Sequence, residues 1–162
     1  FLFSCYTGLR YSDYSRVSKS NIETTEKGLI LRIKAQKTGK YMAVPLYTIF
    51  TEKDKRSKPE QVLLKYLNQD YYNDTRQFDE LPIFKISNQD ANRKLKTIAK
   101  MANVRKTITT HVGRKTFATL AAVKLPLPML QRLMQHSTPQ ETMRYVDNNP
   151  QLLAKLLEDI DW

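Results

Sequence analysis

The chain has 162 residues, and its 27 Lys and Arg outnumber 16 Asp and Glu to give a formal net charge of +11. This length predicts one domain with a buried core, and the 41% hydrophobic content excludes a disordered basic tail. The single cysteine and two histidines exclude a disulfide scaffold and a cysteine-rich zinc site. No apolar run reaches the roughly 20 residues that span a bilayer, so we expect a globular domain of a reducing cytoplasm.

Basic residues concentrate in two segments of the chain. Residues 27–58 hold nine Lys and Arg against two acidic residues, and residues 85–116 hold nine against Asp90 alone. Such a surplus favours a polyanionic partner, because each phosphate neutralised by Lys or Arg releases condensed counterions. The charge therefore favours nucleic acid over a membrane surface, and the two segments would line one groove if the fold brings them together. A generally basic, soluble surface is the alternative interpretation.

The first part of the chain predicts a helix followed by a hairpin. The apolar stretch Phe1–Leu9 predicts a first helix, which Gly8 interrupts near its end. Residues 28–34 alternate apolar and polar side chains, and residues 41–46 form a second run typical of a strand. The turn residues Lys37–Lys40 lie between them, so we expect a small antiparallel hairpin with a basic tip.

The rest of the chain predicts helices. Their starts are marked by prolines and by side chains that cap a helix: Pro59, Ser87, Thr109 or Thr110, Met129 after two prolines, and the capping box from Thr138 to Glu141. The second of these helices carries Leu95, Ile98, Ala99 and Ala102, the polar residues 68–80 predict a loop, and an amphipathic helix over 150–160 ends the chain. The predicted fold class is mainly α with a small antiparallel β-sheet, an α+β domain.

Two residues at one of these helix starts have the chemistry to hold a phosphate. His111 and Arg114 are three positions apart, which places both side chains on one face. A helix N-terminus favours anions through its free N–H groups and its dipole. The pair would combine an anion grip with a proton-transfer group, although taken alone it is more often structural.

Four motifs follow one another along the chain. They are Thr7-Gly8-Leu9-Arg10 with Asp13, Gln36-Lys37-Thr38-Gly39-Lys40 with Val44-Pro45-Leu46, Thr110-His111-Val112-Gly113-Arg114-Lys115-Thr116, and Leu133-Met134-Gln135-His136-Ser137 with Thr142 and Tyr145. Together they resemble the arginine, lysine-hairpin, His-x-x-Arg and His…Tyr motifs of the tyrosine recombinases, also called phage-type integrases. The resemblance covers positions 7 to 145, and both histidines of the chain fall within it.

The sequence departs from this pattern at three positions. Lys115 stands where many members have a second histidine, Gln135 replaces a glycine that usually precedes the last histidine, and Asp147 stands where many have a histidine. The resemblance implies the catalytic-domain fold of the family over residues 1–162, as a fragment that lacks the N-terminal core-binding domain. It also implies that the C-terminal segment 150–162 docks on a neighbouring protomer, with packing on its own domain as the alternative.

The resemblance further implies the chemistry of phosphodiester cleavage. Tyr145 would attack a scissile DNA phosphate and form a 3′-phosphotyrosyl intermediate, releasing a 5′-hydroxyl. Arg10 and Arg114 would clamp the non-bridging oxygens and neutralise the charge of the transition state. Because the bond energy is conserved and guanidinium groups carry the charge, we expect no nucleotide cofactor and no metal.

Three further residues would handle protons and contacts in that reaction. His111 would assist proton transfer from the tyrosine, Lys37 would protonate the departing 5′-oxygen, and His136 would hydrogen-bond a phosphate oxygen. Asp13 would act as structural support that orients Arg10 or its neighbours. Candidates for contacts with backbone phosphates are Lys40, Arg93, Lys94, Arg105, Lys106 and Lys115.

The expected partner is double-stranded DNA, with neither a membrane nor a small-molecule substrate involved. We expect a monomer as an isolated domain, a dimer to tetramer on DNA, and a cytoplasmic location on the bacterial nucleoid. The expected activity is site-specific recombination by the integrase of a mobile element. Three alternatives stay open: a type IB topoisomerase-like activity, a non-catalytic DNA-binding regulator with the same fold, and a basic RNA-binding module.

Overall fold

The structure is a computed structural model that describes residues 1–53, 55–67 and 80–147, together with Pro150, Ala154 and Glu158. Ten helices and strands occur in these ranges: α1 Leu2–Thr7, α2 Tyr11–Tyr14, β1 Ile22–Thr25, β2 Gly28–Lys34, β3 Tyr41–Pro45, α3 Lys58–Leu67, α4 Asn88–Met101, α5 Thr110–Ala122, α6 Leu127–Met134 and α7 Pro139–Asp147. Two short 3-10 turns cover Lys19–Asn21 and Leu46–Thr48. The predicted class, mainly helical with a small antiparallel sheet, is confirmed.

The sheet has three antiparallel strands in the order β1-β2-β3. The predicted β2–β3 hairpin is confirmed, with Leu31 opposite Val44, and both side chains are fully buried. The sequence prediction missed β1, because its residues Ile22–Thr25 are mostly polar and only partly buried along the edge of the sheet. The second hairpin strand also ends one residue earlier than predicted, since Leu46 turns into the 3-10 segment.

Two clusters of buried side chains form the core. The larger cluster joins α1, the sheet and α3, and includes Phe3, Leu31 and Leu63. The smaller cluster lies between α5 and α6 and is built on Phe117 and Met134. Because α1 packs extensively against α5, the segment that follows α1 lies next to both helices of the smaller cluster.

Helix α4 differs from the prediction in the face that it buries. Ser87 caps it as predicted, since its Oγ accepts from the Asp90 amide at 3.0 Å. The buried side chains Ala91, Leu95 and Ala99 form one row at four-residue spacing. Ile98, predicted on the apolar face, is 58% exposed because it lies off that row, and Ala102 is exposed as well.

The other helix starts lie close to their predicted positions. Helix α3 begins one residue before Pro59, and α6 begins at Leu127, two residues before the predicted Met129. Thr109 is the N-cap of α5 without a capping bond from its side chain, and the Thr110 hydroxyl instead donates to Asn88 Oδ1 at 2.9 Å. Glu141 of the capping box accepts from the Ser137 amide at 3.3 Å.

Two predictions fall mainly outside the described residues. The loop predicted over 68–80 is described only at Glu80, and the helix predicted over 150–160 only at Pro150, Ala154 and Glu158. Within the described part of the chain, none of the helices has the length and apolar character needed to cross a membrane.

Gly8 is required by both its backbone conformation and its surroundings. It ends α1 in the left-handed region with φ 72°, and a Cβ atom there would lie 2.5 Å from Phe117 Cδ1. We therefore expect Gly8→Ala to lower the free energy of unfolding by about 2–4 kcal/mol, the sum of left-handed strain and overpacking. Urea denaturation at equilibrium measures the change.

Gly39 provides the matched control for this prediction. Its φ is 67°, but no heavy atom lies within 4 Å of the position of an added Cβ. Gly39→Ala should therefore lose only the strain component, about 1 kcal/mol. Equal losses for the two variants would contradict the packing argument at Gly8.

Candidate active site

The turn after α1 positions the first motif. Gly8 donates its amide to the Ser4 carbonyl at 2.9 Å, and the buried Ser4 hydroxyl donates to the Leu9 carbonyl at 2.7 Å. These two bonds fold the chain back at the helix end. Arg10 then adopts an extended conformation as the N-cap of α2, with its side chain half-buried. The arginine is thus held at the junction of two helices rather than on a free loop.

Arg114 is buried, with 2% of its surface exposed, and Asp13 is the other charged residue of the motifs buried to this extent. Arg114 Nη1 donates to the Gly8 carbonyl at 2.6 Å, and its Nη2 donates to the Met134 carbonyl. These bonds use two of the five N–H groups of a guanidinium. Burial and the nearby Arg10 charge lower the pKa of Arg114 to about 10, so it stays protonated at neutral pH.

His136 and Tyr145 lie side by side. Their rings stack in parallel, with centroids 5.9 Å apart and an interplanar angle of 4°. His136 Nδ1 lies 2.8 Å from Thr142 Oγ1, which fixes the imidazole plane, and Thr142 is fully buried. Burial and then the Arg114 charge lower the pKa of His136 to about 4, so the ring is neutral at pH 7.

His111 lies in the first turn of α5, three residues before Arg114, and its side chain is exposed. Its pKa is lowered, first by partial burial and then by the charges of Lys115, Arg114 and Arg10. The predicted start of this helix is confirmed, because α5 begins at Thr110. Both histidines of the chain therefore stand in a positively charged environment that favours the neutral imidazole.

Lys37 lies on the loop between β2 and β3, and its side chain is exposed. The loop closes on itself through the Ala35 amide, which donates to the Lys40 carbonyl at 2.9 Å. Asp13 holds this loop in place, because its buried carboxylate accepts a hydrogen bond from the Gln36 amide at 2.9 Å. The prediction gave Asp13 a role near Arg10; its carboxylate bonds to the Lys37 loop, while its backbone amide donates to the Arg10 carbonyl at 3.0 Å.

The structure brings the six predicted catalytic residues into one neighbourhood. The charges of Arg10, Arg114 and Lys37 all lower the pKa of His136, and Tyr145 raises that of Arg114. His111 joins them through Arg10 and Arg114. Three cations therefore act on the histidine that stacks on Tyr145, and such a distribution of charge is suited to an oxyanion.

The six predicted phosphate contacts are all exposed, and they fall into different places. Lys115 lies on α5 near His111, and Lys40 lies at the end of the β2–β3 loop. Arg93 is paired with Asp90 at 2.7 Å, so part of its charge is already neutralised. Lys94 lies on α4 beside it, whereas Arg105 and Lys106 line a concave pocket of about 380 Å³ after the end of that helix.

Sequence reasoning gave no role to two residues of the site. Thr142 orients His136 through the hydroxyl contact described above, and its position six residues after the histidine was the available signal. Gln135 is buried in the left-handed conformation with φ 51°, next to Arg10 and Thr38. In residues 1–53, 55–67 and 80–147, no three His, Cys, Asp or Glu side chains come together as a possible metal site.

Comparison with known proteins identifies the family. A sequence model of the Phage integrase family matches residues 1–151, so the chain belongs to this family. No curated protein matches the chain. The family also accounts for the resemblance found in the four motifs.

Solved structures show the same fold at low sequence identity. XerH site-specific recombinase bound to a palindromic difH substrate superposes with a TM-score of 0.69 and 18% identity over 98% of this chain. XerA recombinase gives 0.68 and 20% over 98% of this chain, and the catalytic domain of bacteriophage HP1 integrase gives 0.60 and 19% over 98%. This chain spans 44% of the XerH chain, 55% of XerA and 80% of the HP1 domain. The fold is that of the tyrosine recombinase catalytic domain.

The lowered pKa of His136 predicts a pH dependence of stability. Its pKa is about 4 in the folded chain against 6.5 as the ordinary value, so the unfolded chain binds more protons between these pH values. The contribution of His136 to stability should therefore rise from about pH 4 to pH 6.5 and stay flat above. The chain has two histidines, so their NMR signals can be followed separately, and that of His136 should titrate near pH 4.

His136→Asn serves to assign the resonance and to isolate the effect. The difference in free energy of unfolding between the parent and this variant should change between pH 4 and 6.5 and be constant from pH 7 to 8. A His136 midpoint at or above 6.5 would mean that the imidazole is not held neutral by the site.

Proposed function

We propose that this chain is the catalytic domain of a tyrosine recombinase that performs site-specific recombination through a 3′-phosphotyrosyl intermediate. The observation that carries the proposal is that Arg10, Arg114, His136 and Tyr145 lie close enough to act on one another, with the rings of His136 and Tyr145 stacked. Family membership and DNA-bound relatives such as XerH support it. The Tn1549 transposon integrase and lambda integrase have a similar fold, and we infer a mobile element as the source of the chain.

The proposed reaction begins with attack by Tyr145 on the scissile phosphorus. The Tyr145 oxygen forms a bond to phosphorus, the bond to the 5′-oxygen breaks, and that oxygen receives a proton. Arg10 and Arg114 neutralise the charge that builds on the non-bridging oxygens. Arg114 is suited to this role because two carbonyls hold its guanidinium in place, so little reorganisation is needed during the reaction.

The proton transfers are assigned to neutral or mobile groups. His111, with its lowered pKa, is neutral at pH 7 and can accept the tyrosine proton. Lys37 protonates the departing 5′-oxygen from the exposed loop. In the tautomer in which the Thr142 hydroxyl donates to Nδ1, His136 carries its proton on Nε2 and donates it to a phosphate oxygen.

Double-stranded DNA is the proposed substrate, and assembly of two to four protomers on it is proposed as well. The exposed basic residues would contact backbone phosphates on either side of the site. Guanidinium groups take the electrostatic role in this reaction, and we infer that it proceeds without a metal ion. The C-terminal helix lies mainly outside the described residues, and its exchange between protomers stays a prediction.

Tyr145→Phe tests the nucleophile directly. The substrate is a pool of nicked DNA duplexes whose central sequence is randomised. Wild-type protein should form an SDS-resistant adduct with some of them, and sequencing the DNA captured in the adduct identifies the sequence that the protein cleaves. The variant should form no adduct, because a phenyl ring has no oxygen to bond phosphorus, and should bind the same duplex with less than a twofold change in affinity. Denaturing gels measure the adduct, with and without EDTA, which should have no effect.

Tyr66→Phe is the matched control, since Tyr66, on α3, packs against Phe84 and not against His136. It should leave adduct formation unchanged. An adduct retained by Tyr145→Phe would remove Tyr145 from the role. Absence of any adduct with wild-type protein would favour the non-catalytic regulator, and loss of cleavage in EDTA would contradict metal independence.

The pocket after α4 predicts phosphate contacts by Arg105 and Lys106. Replacing both with Gln should weaken binding to a non-specific 30-base-pair duplex and reduce the slope of log affinity against log salt by about 2, or about 1 per lost contact. Fluorescence anisotropy at several salt concentrations measures the slope. Lys55→Gln should leave it unchanged, because the Lys55 ammonium is already 3.0 Å from Glu52. An unaltered slope in the double variant would place the DNA elsewhere.

A further inference from the structure

Gln135 has a backbone conformation that is unusual for a glutamine. It follows the last residue of α6 in the left-handed region, with φ 51° and ψ 41°, where glycine or asparagine is the usual residue. A glutamine there is strained, because its Cβ lies close to the following carbonyl oxygen. Its polar side chain is also only 8% exposed. Such strain persists only where the surrounding structure holds the residue in place, and it is concentrated at functional sites.

The Gln135 amide lies between three separate segments of the chain. Its Oε1 accepts from Arg10 Nη1 at 3.5 Å and from Thr38 Oγ1 at 3.4 Å. Its Nε2 contacts Met42 Sδ on β3. One side chain therefore joins the arginine at the start of α2 to the loop that carries Lys37.

The Lys37 loop is held at both neighbours of the lysine. On one side, the buried Asp13 carboxylate accepts from the Gln36 amide at 2.9 Å. On the other side, Gln135 holds Thr38. Because the Lys37 side chain is exposed, packing does not fix it, and these two anchors set where the ammonium group is delivered.

We propose that Gln135 is a positioning residue that couples Arg10 to Lys37, so that the proton donor is placed on the leaving-group side of the phosphate that Arg10 holds. This inference rests on the proposed function. It predicts a specific defect: without the glutamine amide, the phosphate still binds, but protonation of the departing 5′-oxygen slows.

Two substitutions separate the effect of the length of the Gln135 side chain from the effect of its backbone strain. Gln135→Asn keeps an amide and a residue that tolerates the left-handed region, but its side chain is one methylene shorter. Gln135→Gly relieves the strain and removes the amide. Both variants should unfold at the same or a higher urea concentration than wild type. Gln61→Asn, on α3, makes the same change at a site away from the motifs.

A duplex with a sulfur leaving group distinguishes a positioning role of Gln135 from a merely structural one. A structural defect would slow cleavage of this duplex and of the ordinary duplex alike. In a 5′-bridging phosphorothiolate duplex of the selected sequence, the bond from Tyr145 oxygen to phosphorus forms, the P–S bond breaks, and the electron pair leaves on sulfur as a thiolate, which needs no proton. Both Gln135 variants should cleave the ordinary duplex about 10–100-fold more slowly, part of the effect of a general acid. They should cleave the phosphorothiolate within about threefold of wild type.

Lys37→Ala and Tyr145→Phe distinguish the possible failures. If wild type forms no adduct, the proposed function fails and this inference with it. Rescue of Lys37→Ala by the phosphorothiolate shows that the assay detects a lost proton donor. Given that rescue, the role of Gln135 alone is overturned if its variants are slowed equally on both duplexes. It is also overturned if they cleave the ordinary duplex at the wild-type rate. Selective rescue of the Gln135 variants, with Gln61→Asn unaffected and Tyr145→Phe inactive on both duplexes, supports it.

Discussion

The buried guanidinium of Arg114 is the interaction on which the site depends. Its two acceptors, the carbonyls of Gly8 and Met134, lie at the C-terminal ends of α1 and α6. Carbonyls at helix C-termini lack partners within the helix and carry the negative end of its dipole. A cation buried at their meeting point satisfies both carbonyls while they offset its desolvation. Removing either side would leave an uncompensated charge or unpaired carbonyls in the core.

This one contact also aligns the catalytic segments with each other. The chain that leaves Gly8 reaches Arg10 two residues later, and the chain that leaves Met134 reaches Gln135 and His136. The guanidinium therefore fixes the relative placement of two segments more than 120 positions apart. Phe117, one turn after Arg114 on α5, fills the space that the missing Cβ of Gly8 leaves, so packing and polar contacts enforce the same arrangement.

The parts of this arrangement that local patterns encode could be predicted from the sequence. The alternation in residues 28–34, the Ser87 cap and the spacing of His111 and Arg114 each correspond to a local geometry, and each occurs in the structure. Strand β1 could not be found, because an edge strand of polar residues has no periodic signal. The exposure of Ile98 depends on which side chains of α4 pack against the rest of the domain, and the sequence of the helix alone does not determine this. The contacts of Gln135 depend on segments 97 and 125 positions away, which no local pattern specifies.

The charge of the site explains why its histidines differ from free imidazoles. Arg10, Arg114 and Lys37 bring three positive charges to this site, and the carboxylates of Asp13 and Glu141 offset part of the charge at Arg114. Burial of His136, and then the charge of Arg114, disfavour adding a proton to its ring, so its pKa falls to about 4. A bound phosphate reverses the balance, because its negative charge favours every cation around it. In the proposed reaction these cations face the negative charge that the transition state gains, and the histidines take part as neutral hydrogen-bonding groups.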